Sequence, residues 1–204
     1  MMESKKKSGN LFTREFFFKL VFEILSVVLA VSLALIANEW RRNQSNHKLV
    51  LNAWSNIKNE ISLNKEKLET ILPYYDSLWY IVDSAITIHE RKTEDVSVDF
   101  EGIEIEILSS TAWVTINSTD VINYMKFEHI MKIGEVYNSQ KVYTDIVDNF
   151  ISLQQVSVLN TKEVQIELLY STRLYLGHFM GVGRQIITGY DEAMELLRDN
   201  YPDL

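Results

Sequence analysis

Residues 20–37 read LVFEILSVVLAVSLALIA, an apolar run whose single ionisable side chain is Glu23. Extended back to Phe16, the run is long enough for a helix to cross a bilayer core, which takes about 20 residues at ~1.5 Å each. This feature constrains the chain more than any other. A lipid-exposed segment must satisfy its own backbone, so residues 16–38 are expected to be a transmembrane helix. A cleaved signal peptide would have a shorter apolar core followed by small residues. Here the run ends in Asn38-Glu39-Trp40-Arg41-Arg42. Trp40 suits the membrane interface, and Arg41 and Arg42 suit a headgroup stop.

Orientation follows from the distribution of Lys and Arg. Lys5, Lys6, Lys7, Arg14 and Lys19 precede the span, and Arg41, Arg42 and Lys48 follow it within a similar distance. Five against three places residues 1–15 in the cytoplasm as a basic tail, with the large C-terminal domain outside it.

One stripe of the span differs from the rest. Glu23, Ser26, Ala30, Ala34 and Asn38 recur at steps of three and four. Small residues four apart let helix backbones approach closely in lipid, and polar groups on that stripe find partners across the contact. The expectation is a helix-packing face for a second copy or another membrane protein. The competing reading is a tolerated Ser/Ala stripe, with Glu23 reaching the nearby headgroups.

Beyond the span, only two prolines and seven glycines interrupt the 204 residues, which favours long helices. The expected fold class is all-α, with the transmembrane helix continuing into an extramembrane helical bundle. Residues 39–72 read as a juxtamembrane stalk helix and residues 73–204 as a bundle domain that the stalk completes. Trp40, Asn43, His47, Val50, Trp54, Ile57, Ile61, Asn64, Leu68, Ile71 and Tyr75 follow a heptad spacing. Such a stripe serves an oligomeric stalk with Asn64 setting register, or the interior of the chain's own bundle. The second reading is preferred, because the pattern stops near Pro73. Pro73 predicts a kink or a new helix start, with Leu78, Val82, Ala85 and Ile88 facing inward afterwards.

Residues 94–108 leave the helical pattern. Val96, Val98 and Phe100 alternate, then Ile103, Ile105 and Ile107, predicting a short extended or β-like crossover laid on the helices. Ser109 or Ser110 can cap a short helix through Trp113 and Ile116. Two long helices follow, residues 127–159 and 162–199, joined by a turn at Asn160 and Thr161. Within the second, Leu174 to Gly183 is too punctuated by Glu167, Arg173, His178 and Arg184 to be another membrane span.

The span also carries a resemblance. Glu23, Ile24, Val27, Val28, Ala34, Leu35, Asn38 and Trp40 form a Glu-Ile…Ala-Leu…Asn-x-Trp pattern that resembles a group of uncharacterised bacterial single-pass membrane proteins. Ala30 stands where that group tends to have Gly. Thr111-Ala112-Trp113 and residues 133–137 are similar to the group as well. The resemblance implies a small bacterial membrane protein of unknown function and carries no active site; with the Lys and Arg asymmetry, the expected place is the bacterial inner membrane with the C-terminal domain periplasmic.

The remaining chemistry is bounded by absences in the sequence. A formal charge of -8 argues against a nucleic-acid partner. With no cysteine there is no disulfide or thiolate metal site. His47, His89, His129 and His178 lack metal-ligand spacing, and no Gly-x-Ser-x-Gly elbow occurs. Glu101, Glu104 and Glu106 read as a solvated edge. No catalytic, cofactor-binding or metal residues are therefore assigned, no cofactor is expected, and the chain is not expected to be an enzyme. The expected function is a membrane-anchored interaction or scaffold module, self-associating and binding a partner protein or ligand at the lipid bilayer. The alternative is a small oligomeric pore or membrane effector, with Glu23 and Asn38 along a path.

Overall fold

The structure, a computed structural model, describes residues 11–91, 103–156, 162–202 and 204. The basic residues Lys5, Lys6 and Lys7, the alternating Val96, Val98 and Phe100, and the turn at Asn160 and Thr161 lie outside them. The described residues form helices α1 (Leu11–Glu90), α2 (Thr111–Asn117), α3 (Phe127–Val156) and α4 (Lys162–Asn200), with a 3-10 turn at Asp120–Tyr124 between α2 and α3. The chain is all-helical, and there is no strand among the described residues.

Two compact units divide at Lys48 and Leu49. In the first, the N-terminal part of α1 is apolar, with a mean hydropathy of 2.7 and none of its most apolar stretch buried. By length and composition this helix can cross a membrane.

The second unit is a bundle. The heptad stripe turns into its core at Val50, and Trp54, Ile57, Ile61, Leu68 and Tyr75 are fully buried. Trp40, Asn43 and His47 are exposed. From Val50 onward the stripe therefore packs inside its own chain, so residues 50–72 are bundle core and not a free stalk.

Helix direction can be read from cross-helix partners. Trp54 lies beside His129, Glu60 bonds Tyr137 and Asn64 bonds Gln140, so α3 runs parallel to α1. Asp76 faces Arg184 and Asp83 bonds Arg173, while Glu90 accepts from Tyr170, so α4 is antiparallel. Helices α3 and α4 form the expected helical hairpin. Phe150 and Phe179 meet edge-on in its core, with Tyr143 and Tyr175 against Phe179.

Three expectations change. Helix α1 passes through Pro73, so of the two expected outcomes, a kink or a new helix start, the new start does not occur. Proline removes one helical bond and crowds the carbonyl four residues back. Both Pro73 and Glu69 are exposed, so water can solvate the freed group. Ile88 is 42% exposed, and Ile86 takes the inward place.

The crossover is the third. Its described residues, 103–110, have no ladder partner and form an irregular strap along α1. Glu104 N–H donates to the Tyr74 hydroxyl, the Ile107 carbonyl accepts from Lys67 Nζ, and Ser109 bonds Asn64. The five steps from residue 104 to residue 109 thus cover ten helical positions, or about 15 Å. That stretch is near the reach of a fully extended chain, ~3.3–3.6 Å per residue. The strap is extended but not β, because side chains of α1 replace the neighbouring strand.

Candidate functional site

In the span, a turn of 100° per residue confines Glu23, Ser26, Ala30, Ala34 and Asn38 to one side of α1, an arc of about 120°. All five are exposed. Ser26 Oγ donates to the Phe22 carbonyl at 2.7 Å, so its proton is spent within the helix. Ser26 then offers a neighbour only its lone pairs, and Glu23 and Asn38 are the polar side chains of the stripe left uncommitted among the described residues. Trp40 is 66% exposed. Arg42 pairs with Glu39 at 3.1 Å on the exposed surface, and Arg41 is exposed.

The bundle contains a second constellation that the sequence reading missed. Glu60 is buried between α1, α2 and α3. Its Oε1 accepts from the Tyr137 hydroxyl at 2.7 Å. Its Oε2 accepts from Ser109 Oγ at 2.7 Å and from the Ala112 N–H at 2.9 Å. The carboxylate therefore satisfies an orphan donor at the start of α2. Ser110 occupies the N-cap position without a side-chain bond, and Ser109 acts as a donor to Glu60. Ser109 Oγ also accepts the Thr111 N–H at 3.4 Å, so the local cap expected at Ser109 is present and a cap from a distant helix is added to it.

Asn64 continues the network. Its Nδ2 donates to the Ser109 carbonyl at 2.7 Å, and its Oδ1 accepts the Ser109 N–H at 2.9 Å. One side-chain amide thus pairs both backbone groups of one strap residue, as a strand would. Gln140 Nε2 donates to the same carbonyl at 2.7 Å, and Tyr190 donates to Gln140 Oε1 at 2.8 Å. Burial, then the hydrogen bond and charge of Glu60, push the Tyr137 hydroxyl far above its ordinary range. Burial does the same to Tyr190. Both hydroxyls remain donors at any ordinary pH. Trp113 stacks on the Tyr137 ring at 5.3 Å and 6°, and Gly134 leaves room for its indole.

Beside this network runs an open groove of about 580 Å³ between α1 and the α2 segment. Leu49, Ala53, Leu63, Ile116 and Val121 supply apolar surface, while Asn52, Asn56, Thr111, Thr115 and Thr119 line its sides. Leu63 is 61% and Leu49 45% exposed. The volume falls in the range of small-molecule and peptide sites, about 300–1,000 Å³.

Of the histidines, His129 is buried and the others are exposed. Its Nδ1 lies 3.0 Å from the Tyr201 hydroxyl, and Tyr201 packs on Trp54. Of the acidic edge, Glu106 pairs with Lys67 at 3.3 Å, Glu104 is exposed, and Glu101 lies outside the described residues. Among the described residues, no three His, Asp or Glu side chains gather as a metal site would require.

Little in the sequence signals the Glu60 network. Its members come from four separate segments, and the sequence hints at it only through Asn64 within the buried stripe and a carboxylate beside that stripe, at Glu60-Ile61. No family model, no curated protein and no solved structure matches the chain. The functional reading therefore rests on the span, the buried network and the groove.

Proposed function

We propose that the chain is a membrane-anchored helical interaction module that self-associates through its span and binds a partner outside the bilayer. One observation carries the reading. The Glu23–Asn38 stripe is exposed along its whole length, and nothing in the described chain covers it. A carboxyl and an amide on a small-residue face in lipid are most stable against a protein neighbour. The neighbour proposed is a second copy. The bundle is the binding unit: the polar groups of its Glu60–Asn64–Gln140 network are bonded to one another and to the strap, and its groove stays open.

In this reading the N-terminus is cytoplasmic, the bundle is periplasmic and the host membrane is the bacterial inner membrane. These places rest on the Lys and Arg asymmetry and on the resemblance of the span to bacterial single-pass proteins. The reading assigns no catalytic step and no cofactor.

The test is association of the full chain in lipid nanodiscs, followed by energy transfer between labelled copies. Ala30→Leu and Ala34→Leu are expected to lower transfer sharply, and Val28→Leu to leave it unchanged. Unchanged transfer in all variants would reduce the span to a tether.

A further inference from the structure

We infer that the α1–α2 groove takes an extended, uncharged peptide segment of a partner protein. The inference rests on the interaction-module reading and supplies the chemistry of the partner. Three observations lead to it.

The first is charge. Residues 49–204 carry 24 acidic and 12 basic side chains, a formal charge of -12. The groove is a neutral place on that acidic unit. Its two charged lining residues are opposite in sign and already engaged, Glu60 with three neutral donors and Lys67 with Glu106. A charged ligand would have to compete with those contacts, and an uncharged one need not.

The second is hydrogen-bonding capacity. Asn52 and Asn56 are exposed on the α1 side, and no intramolecular bond of theirs is present among the described residues. Opposite them, Thr115 donates to the Thr111 carbonyl at 2.7 Å and Thr119 to the Ile116 carbonyl at 3.2 Å. Their protons are used, so outward they offer lone pairs that accept N–H groups. An acyl chain would cover these amides and hydroxyls without bonding them. A helix has already satisfied its own backbone and would gain little from them. An extended chain needs both donors and acceptors along its edges.

The third is pitch. Asn52 and Asn56 are four residues apart, about 6 Å along α1. Same-side groups of an extended chain repeat every two residues, about 6.6 Å. From Leu49 to Lys67 the groove spans about 27 Å of helix, room for roughly eight extended residues. Alternate side chains would meet the apolar floor at Ala53, Ile116 and Leu63.

The experiment uses the full chain in nanodiscs and a fluorescein-labelled octapeptide, Val-Thr-Val-Ser-Val-Thr-Val-Ser, followed by anisotropy. Saturable binding is expected. The same peptide N-methylated at alternate amides should bind about tenfold more weakly or not at all. The Asn52→Leu, Asn56→Leu double variant should also bind about tenfold more weakly, as expected for two lost hydrogen bonds, with an unchanged circular dichroism spectrum. Absence of saturable binding overturns the inference. So does equal binding of the N-methylated peptide, or displacement of the peptide by cis-parinaric acid, which would mark the groove as a lipid site. Loss of peptide binding with intact association in nanodiscs sinks this inference alone. Peptide binding without association sinks the anchor reading alone.

Discussion

Replacing Tyr137 by Phe isolates one hydrogen bond of the buried network. The hydroxyl donates to Glu60 Oε1 at 2.7 Å, and the ring stacks on Trp113 at 5.3 Å. Phenylalanine keeps the stack and the volume, so the change is confined to the bond. Glu60 Oε2 retains Ser109 and Ala112, while Oε1 loses its donor in a buried setting. A hydrogen bond to a charged group contributes about 1.5–3 kcal/mol, so a loss of about 2 kcal/mol is expected. For a domain of this size each kcal/mol moves Tm by about 2–4 °C, giving a drop of about 4–8 °C. Tyr190→Phe is the internal control. It removes a neutral bond to Gln140 at 2.8 Å, worth about 1 kcal/mol. Near-UV circular dichroism of the full chain in detergent micelles reads the bundle without interference from the span. A Tyr190→Phe effect as large as that of Tyr137→Phe, or no effect at Tyr137, would refute the placement of Glu60 at the centre of the network.

Three further perturbations separate packing, charge and capping. Gly181 has open space where a Cβ would stand, whereas at Gly183 it would meet Leu72 Cδ2 at 2.9 Å; Gly181→Ala should raise Tm, by up to about 1 kcal/mol of helix propensity, and Gly183→Ala should lower it, read by the same melt. Burial, then the charge of Lys126, lowers the pKa of His129 below its ordinary 6.5 while Glu128 opposes. The neutral imidazole is therefore the folded form, so its contribution is complete above the unfolded pKa and is lost as pH falls through the lower folded one. The Tm of His129→Gln should accordingly depend less on pH between 7 and 5 than that of the parent. Asn64→Leu removes both Asn64 bonds to Ser109; the carbonyl keeps Gln140 while the N–H loses its partner, so a loss of about 1–3 kcal/mol is expected, with earlier proteolysis near the strap as a second readout.

The parts legible in sequence were those written in local periodicity. The span shows as uninterrupted hydropathy between Phe16 and Asn38. The buried stripe of α1 shows as alternating steps of three and four from Val50 to Tyr75, and its preferred use, inside one chain, agrees with the burial of Trp54, Ile57 and Ile61. What was not legible depends on distant neighbours. Whether Pro73 ends a helix depends on which face the freed carbonyl of Glu69 meets. Alternation at Ile103, Ile105 and Ile107 reads as a strand, yet a strand also needs a partner edge, and Asn64 takes that place for Ser109. Ser109, which the sequence offers as a cap of α2, accepts the Thr111 N–H, but the Ala112 N–H is held by Glu60, about fifty residues upstream, where no local rule would look. Similarly, a Cβ at Gly183 in α4 would crowd a Leu72 methyl while one at Gly181 would meet open space, a difference set by the neighbouring helix and not by the local sequence.

The central claim is that the Glu23–Asn38 stripe has a protein neighbour in the membrane, and the chain's lack of cysteine permits a direct measurement. Single cysteines placed in turn from Ser26 to Ala37 can be oxidised in native membranes and the crosslinked dimers quantified. The account predicts that crosslinking peaks at Ser26, Ala30 and Ala34, with a period of 3.6 residues, and falls at Val28, at Ser32 nearly opposite Ala30, and at Ile36. Uniform crosslinking around the helix, or none at any position, would contradict it.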